Sequence, residues 1–259
     1  VNRGQIWAVV IGISQYKTVR SLKYADKDAL AFRDYLTKNV GVASDHLTFL
    51  TNEQATLFNL KRSLGTDLKR KAGPKDTVII YYAGHGAPEP DASSPDGDGL
   101  EKYLIPYDAD PQDLYTTGLP MREVETIFHR LSAERVIFIT DSCYSGATAG
   151  RTFSTTARRA NLSDGFLNRL SKGKGRVVLT ASRAGEVSEE RDDLGHGVFT
   201  YYLLEGLNGK ADVDGDSIVT VDEAYSYLSK HVPEATGQNQ HPVKKGEVEG
   251  QLILGRIQF

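Results

Sequence analysis

The chain holds a single cysteine, Cys143, among its 259 residues. No internal disulfide can form, so the fold must rest on a packed core, and a reducing compartment is permitted. No stretch approaches the roughly 20 consecutive apolar residues that a spanning helix needs, and no signal peptide is recognised, although the chain opens on valine. The expectation is a cytoplasmic protein with no membrane partner. A basic excess is missing too: 31 Lys and Arg stand against 34 Asp and Glu, a formal charge of −3, which argues against nucleic acid as a partner. No internal repeat is visible. What remains is ordinary globular usage, 39% hydrophobic and 25% charged, in a length that suits one large domain.

Apolar runs alternate with amphipathic segments. Strands are expected at Ile6–Ile13, His46–Leu50, Thr77–Tyr82, Val136–Ile139, Arg176–Ala181 and Gln251–Ile257. Between them, helices are expected within Leu22–Val40, where Ala25, Ala29, Phe32, Tyr35 and Leu36 recur at three and four, and at Thr56–Lys71, Met121–Leu131, Val198–Leu207 and Val221–Lys230. Such alternation predicts an α/β fold, a mostly parallel central sheet of about six strands with helices on both faces. Two stretches break the pattern. Pro88–Leu100, rich in Pro, Ser, Asp and Gly, reads as a surface loop. Gly150–Gly175 reads as a basic linker with a short helix at Leu162–Leu170.

Chemistry gathers at two strand ends. Thr77-Val-Ile-Ile-Tyr-Tyr82 runs into Ala83-Gly84-His85-Gly86, and Val136-Ile-Phe-Ile139 runs into Asp141-Ser142-Cys143-Tyr144-Ser145-Gly146. Functional sites of open α/β sheets lie at the carboxyl ends of strands. Taken singly, a lone cysteine is most often an inert small hydrophobe, and a histidine at a strand end is a common polar terminus. Together, flanked by glycines that admit backbone amides to a substrate, they form the minimum for thiol nucleophilic catalysis: a base withdraws the proton and the thiolate attacks a carbonyl.

Tyr-Tyr-Ala-Gly-His85-Gly followed by Asp-Ser-Cys143-Tyr-Ser-Gly resembles the caspase-type cysteine peptidases, specifically their metacaspase and bacterial orthocaspase branch. The caspase signature sets the histidine about 50 residues upstream of a Gln-Ala-Cys context. Here Asp141 and Ser142 replace Gln and Ala, which favours the metacaspase side. The resemblance runs from about Trp7 to Phe259 and implies a caspase-like sandwich forming one catalytic domain. Its large-subunit-like part spans about 1–150, the basic linker 151–175 and the small-subunit-like part 176–259.

By resemblance, Cys143 is the nucleophile, His85 the general acid/base, and the backbone amides of Gly86 and Cys143 the oxyanion hole. No Asn or Asp is evidently placed to orient His85, and in such dyads a backbone carbonyl often holds the imidazole. Asp141, with Asp28 and Ser182, is implied to bind the substrate. A carboxylate two residues before the nucleophile selects arginine or lysine before the scissile bond, an attraction of about 4 kcal/mol at about 4 Å and an effective dielectric of about 20, before desolvation. The alternative for Asp141 is a helix cap. Asp28 lies in Tyr24-Ala-Asp-Lys-Asp28, less complete than the family's Gly-Cys-x-Asn-Asp.

Asp212-Val-Asp214-Gly-Asp216-Ser-Ile218-Val-Thr220-Val-Asp-Glu223 follows the twelve-residue EF-hand calcium pattern, with Ser217 where glycine is the rule. A calcium site and an acidic turn capping the helix at Val221 both fit. The family's own calcium cluster, after the catalytic histidine, maps near Asp96, Asp98 and Glu101, but Gly150 stands near the position of its further aspartate. No cofactor is required for the chemistry. Within the linker, Arg158, Arg159, Arg169, Lys172 and Lys174 are candidate cleavage sites. The reading is an endopeptidase cutting after Arg or Lys in protein or peptide substrates, open to a regulatory protein partner. Its alternative is a silent caspase-fold interaction module switched by calcium or a partner.

Overall fold

The computed structural model describes residues 4–94, 96–143, 164–173, 175–183, 185–246 and 253–256, with Cys143 and Arg256 described by their backbone alone. In chain order the elements begin β1 (Ile6–Gly12), α1 (Ala25–Tyr35), β2 (Leu47–Thr51), α2 (Leu57–Lys61), α3 (Leu68–Lys71), β3 (Thr77–Pro90), β4 (Leu100–Leu104), α4 (Leu114–Thr117) and β5 (Leu119–Pro120). They continue α5 (Met121–Arg130), β6 (Arg135–Cys143), α6 (Asp164–Leu170), β7 (Arg176–Thr180), β8 (Glu190–Arg191), β9 (His196–Gly197), α7 (Val198–Glu205), β10 (Ile218–Thr220), α8 (Val221–Ala235), β11 (Val243–Lys245) and β12 (Ile253–Arg256). No helix among the described residues is long and apolar enough to cross a membrane.

The main sheet runs in the order β11-β7-β6-β3-β1-β2. Along this order the inner pairs are parallel and β11 runs antiparallel on β7, while β4 and β5 join the same sheet antiparallel, beyond the extended end of β3. Val78 to Tyr82 are buried without alternation, as a central parallel strand covered on both faces must be. Period-2 alternation sends Val9, Ile11, Val78, Ile80 and Phe138 into one core with α2, α3, α5 and α6. Val10, Ile79, Tyr81 and Ile139 enter a second core with α1, α7 and α8.

Two expectations about strands are corrected. The segment expected as the last strand of the main sheet, Gln251–Ile257, contributes β12, which pairs antiparallel with β10 in a separate ribbon. The sixth strand is instead β11, whose Val-Lys-Lys sequence carries no apolar run because it is an edge strand. Likewise, Pro88–Leu100 is not wholly loop: β3 continues past His85 to Pro90 and folds back on β4. The Ile105 amide donates to the His85 carbonyl, so Gly86, Pro88 and Pro90 occupy the positions whose nitrogens face away from β4. Proline is tolerated in such a strand for that reason.

Candidate active site

Strand register brings the two motif residues level. His85 of β3 is the direct parallel partner of Cys143 of β6. The His85 backbone is clamped: its amide donates to Tyr16 Oη at 2.8 Å, and its carbonyl accepts from Tyr82 Oη at 2.7 Å and from the Ile105 amide at 3.1 Å. Gly84 permits this clamp, because a Cβ there would lie 2.8 Å from Tyr16 Oη and 2.9 Å from Tyr82 Oη.

The imidazole packs against the Tyr16 ring with centroids 5.0 Å apart, and Nε2 lies 2.8 Å from the Arg20 carbonyl oxygen. A carbonyl only accepts, so in the neutral ring Nε2 carries the proton and Nδ1 is left as the base. Burial holds the His85 pKa below its ordinary value, opposed by the Arg20 hydrogen bond and the nearby Glu190 charge. At neutral pH the ring is therefore in its proton-accepting form. Backbone alternation settles a further direction. Ala83 turns its carbonyl to Ile13 of the β1 side and His85 turns its own to Ile105, so the Gly86 amide points to the β6 side, past Cys143.

Beside His85 lies a cavity of about 450 Å³ lined by Arg20, Lys23, Asp28, Asp141, Ser188 and Glu190, among others. Asp141 is 9% exposed. Its Oδ1 accepts from Ser188 Oγ at 2.5 Å and its Oδ2 from Thr200 Oγ1 at 2.7 Å, while Thr200 is backed by Tyr81 Oη at 2.7 Å. Asp28, on the first turn of α1, reaches the same wall from the other side. Its Oδ1 lies 2.6 Å from His196 Nδ1, and its Oδ2 accepts from the Gly197 amide at 3.0 Å. Burial raises both carboxyls: Asp141 upward against the two hydroxyl bonds, and Asp28 to about 7 against the His196 bond. Gly197 separates them, since a Cβ there would lie 2.9 Å from an oxygen of each.

The structure therefore brings His85, Asp141 and Asp28 to one cavity with Cys143 at its strand partner position. Ser182 is not among the cavity-lining residues. It is buried, its carbonyl accepts from Thr180 Oγ1, and the serine of the cavity is Ser188. Glu190 was not anticipated: its carboxylate accepts from the Lys23 and Tyr24 amides at 2.8 to 3.1 Å and so fixes the chain entering α1, whose first-turn Asp26 amide is taken by Ser14 Oγ. Arg20 was missed because it acts through its carbonyl, which any residue supplies. Tyr16, Ser188, Thr200 and Gly197 lie far from the motifs in sequence, and no local pattern marks them.

Of the two candidate metal clusters, the EF-hand-like loop fits in part. Single carboxylate oxygens of Asp212, Asp214 and Asp216 lie within 4.8 Å of one another, and Ser217 takes φ of 66°, the left-handed conformation that position requires. Glu223, however, is committed to a capping box with Thr220, and its other oxygen takes the Val213 amide. Ile218 and Thr220 lie in β10, and Thr220 is itself the cap residue. The second cluster does not fit a divalent ion. Asp96 and Asp98 both hold Lys102 Nζ, and Glu101 holds Arg122. Among the candidate cleavage sites, Arg158, Arg159 and Lys174 lie outside the described residues, and Lys172 is exposed. Arg169 lies inside α6 and pairs with Asp96 and Glu125.

Residues 5–250 match the family described as "Caspase domain". Metacaspase-1A of Aspergillus niger and Metacaspase-1 of Emericella nidulans are each 28% identical over 156 residues, 56% of this chain and 36% of theirs. The chain thus spans about a third of the length of these curated relatives. Protein GSU0716 from Geobacter sulfurreducens superposes with a TM-score of 0.67 at 17% identity, over 98% of this chain and all of that one. Caspase-1 from Spodoptera frugiperda superposes at 0.61 and 12% identity, over 99% and 92%. These two likenesses concern the fold alone. With the motif order, the sheet and the family match in agreement, this chain belongs to the caspase-domain family of cysteine peptidases.

Proposed function

We propose that the protein is a cysteine endopeptidase that hydrolyses peptide bonds after arginine or lysine, with Cys143 as nucleophile and His85 as general acid/base. The observation that carries this reading is the register of His85 with Cys143 beside a cavity walled by two buried carboxylates. In the reaction, the imidazole Nδ1 takes the thiol proton and the thiolate attacks the scissile carbonyl carbon. The resulting oxyanion is met by the amides of Gly86 and Cys143. Collapse expels the amine, which receives the proton from the imidazolium, and leaves a thioester. Water, deprotonated by His85, then releases the acid and restores the thiol.

Asp141 and Asp28 supply the selectivity for a cation. Both are held in the cavity wall, Asp141 by two hydroxyl donors and Asp28 by the His196 ring and the Gly197 amide. Calcium enters only as a modulator at the loop carrying Asp212, Asp214 and Asp216, with the Ile218 carbonyl, Thr220 and Glu223 completing the sequence pattern. Binding there requires Glu223 to leave its cap, so affinity is expected to be weak. Calcium titration calorimetry of the wild type and of Asp214→Asn checks this, with heat expected only from the former.

The function is tested with matched peptides carrying arginine, lysine, citrulline or aspartate before the reporter. Cleavage is expected after arginine and lysine alone, abolished by Cys143→Ala and nearly so by His85→Ala. Preference for aspartate overturns the pocket assignment. Absence of any cleavage by a protein whose Cys143 still reacts with an arginyl thiol probe favours the interaction-module reading.

A further inference from the structure

Beyond the cavity, the most unusual side chain is a lysine inside the protein. Lys102, on β4, has a side chain 2% exposed, and its ammonium lies 2.6 Å from Asp96 Oδ2 and also on Asp98. An ammonium is removed from water at high cost unless anions surround it, and here two do. Asp96, itself 3% exposed at the side chain, uses its other oxygen to take Arg169 of α6 at 2.6 Å, and Arg169 also reaches Glu125 of α5 at 3.2 Å. A parallel tie joins Arg122 of α5 to Glu101 of β4 and to Asp91.

These groups sit in particular places. Asp91, Asp96, Asp98, Glu101 and Lys102 all belong to the turn and return strand of the hairpin that extends from His85. Arg169 belongs to α6, a helix within the 151–175 linker, whose Phe166, Leu167 and Leu170 enter the core beneath the sheet. The network therefore ties the arm that carries His85 to α5 and to α6 of the linker, with the Lys102 ammonium at its centre. A divalent ion introduced there would need six to eight oxygens and would meet Lys102, Arg122 and Arg169 already bound to the available carboxylates.

We infer that Lys102 is a built-in cation that fastens the His85 hairpin to α6, so that this hairpin is ordered without calcium. The inference concerns the site of the proposed peptidase but does not depend on that activity. It is tested by amide hydrogen exchange on the full chain in EGTA and in millimolar calcium. In the wild type, exchange across residues 86–104 and 164–170 should be the same in both buffers. Lys102→Gln should speed exchange at least tenfold in both segments while β1 and β7 amides keep their protection. Arg169→Gln should loosen α6 and leave the hairpin protected, and it serves if Lys102→Gln does not fold. Wild-type hairpin amides protected only in calcium overturn the inference, as does Lys102→Gln exchange that rises evenly over the whole chain. If peptide cleavage is also found, it should persist in EGTA in the Asp214→Asn background; cleavage abolished by EGTA there overturns the inference while leaving the peptidase reading intact.

Discussion

At the scale of single residues, the cavity is defined as much by a missing side chain as by those present. A Cβ at Gly197 would come within 2.9 Å of oxygens of both Asp28 and Asp141, closer than carbon and oxygen ordinarily pack. Gly197→Ala must push the carboxylates apart, a change of the kind that costs about 1–3 kcal/mol. The expected outcome is at least about a tenfold fall in the arginine-over-citrulline preference, since ~1.4 kcal/mol corresponds to tenfold. Alkylation of Cys143 by iodoacetamide should be unchanged. Asp28 carries a second prediction. Its carboxyl is raised from 3.8 to about 7 by burial, so the folded state holds a proton that the unfolded chain has already released between those values. Its contribution to stability therefore falls as pH rises from about 4 to about 7 and is constant above. Over the same window the pocket gains charge, so the KM for an arginyl peptide should fall relative to that for a citrullyl one. Urea melts and kinetics from pH 5 to 8, compared with Asp28→Asn, should show both trends flattened in the variant.

At the scale of elements, the helix start at α8 offers an independent check on the acidic loop before it. Thr220 Oγ1 accepts from the Glu223 amide, and Glu223 returns the bond to Thr220, a capping box. Thr220→Ala should cost about 1 kcal/mol, while Ser217→Gly, at φ of 66°, should gain up to about 1 kcal/mol by relieving the left-handed conformation. Denaturant midpoints measure both. The Ser217 conformation was legible in advance, because the loop pattern demands a positive φ at that position whether or not a cation binds. So were the strands that carry His85 and Cys143, whose unbroken apolar runs have only one place in an α/β sheet. What escaped notice were elements defined by partners. β11 is three residues long and largely charged, β12 leaves the main sheet for β10, and β4 hides in a Ser/Asp/Gly-rich stretch. Glu190 and Thr200 were invisible for the same reason: they act across more than 50 residues of sequence on atoms that no local motif names.

For the molecule as a whole, the remaining question is whether the chain cuts itself, and the charge network divides the candidate sites. Arg169 is the one least suited to cleavage. An extended segment must enter a peptidase cleft, and Arg169 lies within α6, whose Phe166, Leu167 and Leu170 are buried and whose guanidinium is held by Asp96 and Glu125. Opening α6 would break that packing and the tie to the His85 hairpin together. Arg158 and Arg159 precede the helix and Lys172 is exposed after it, so cutting at these positions leaves α6 docked. The expected result, from mass spectrometry of the incubated wild type, is cleavage after Arg158, Arg159, Lys172 or Lys174 and none after Arg169. Cys143→Ala should show no cleavage at any of them. Cleavage in both proteins alike would identify a contaminating protease, and cleavage in neither would deny self-processing. In Arg169→Gln, where the helix is released from Asp96 and Glu125, cutting after Lys172 should quicken, because the segment leading to it is freed on its amino-terminal side. An unchanged rate there would show that the packing of α6, and not its charges, sets access to the linker.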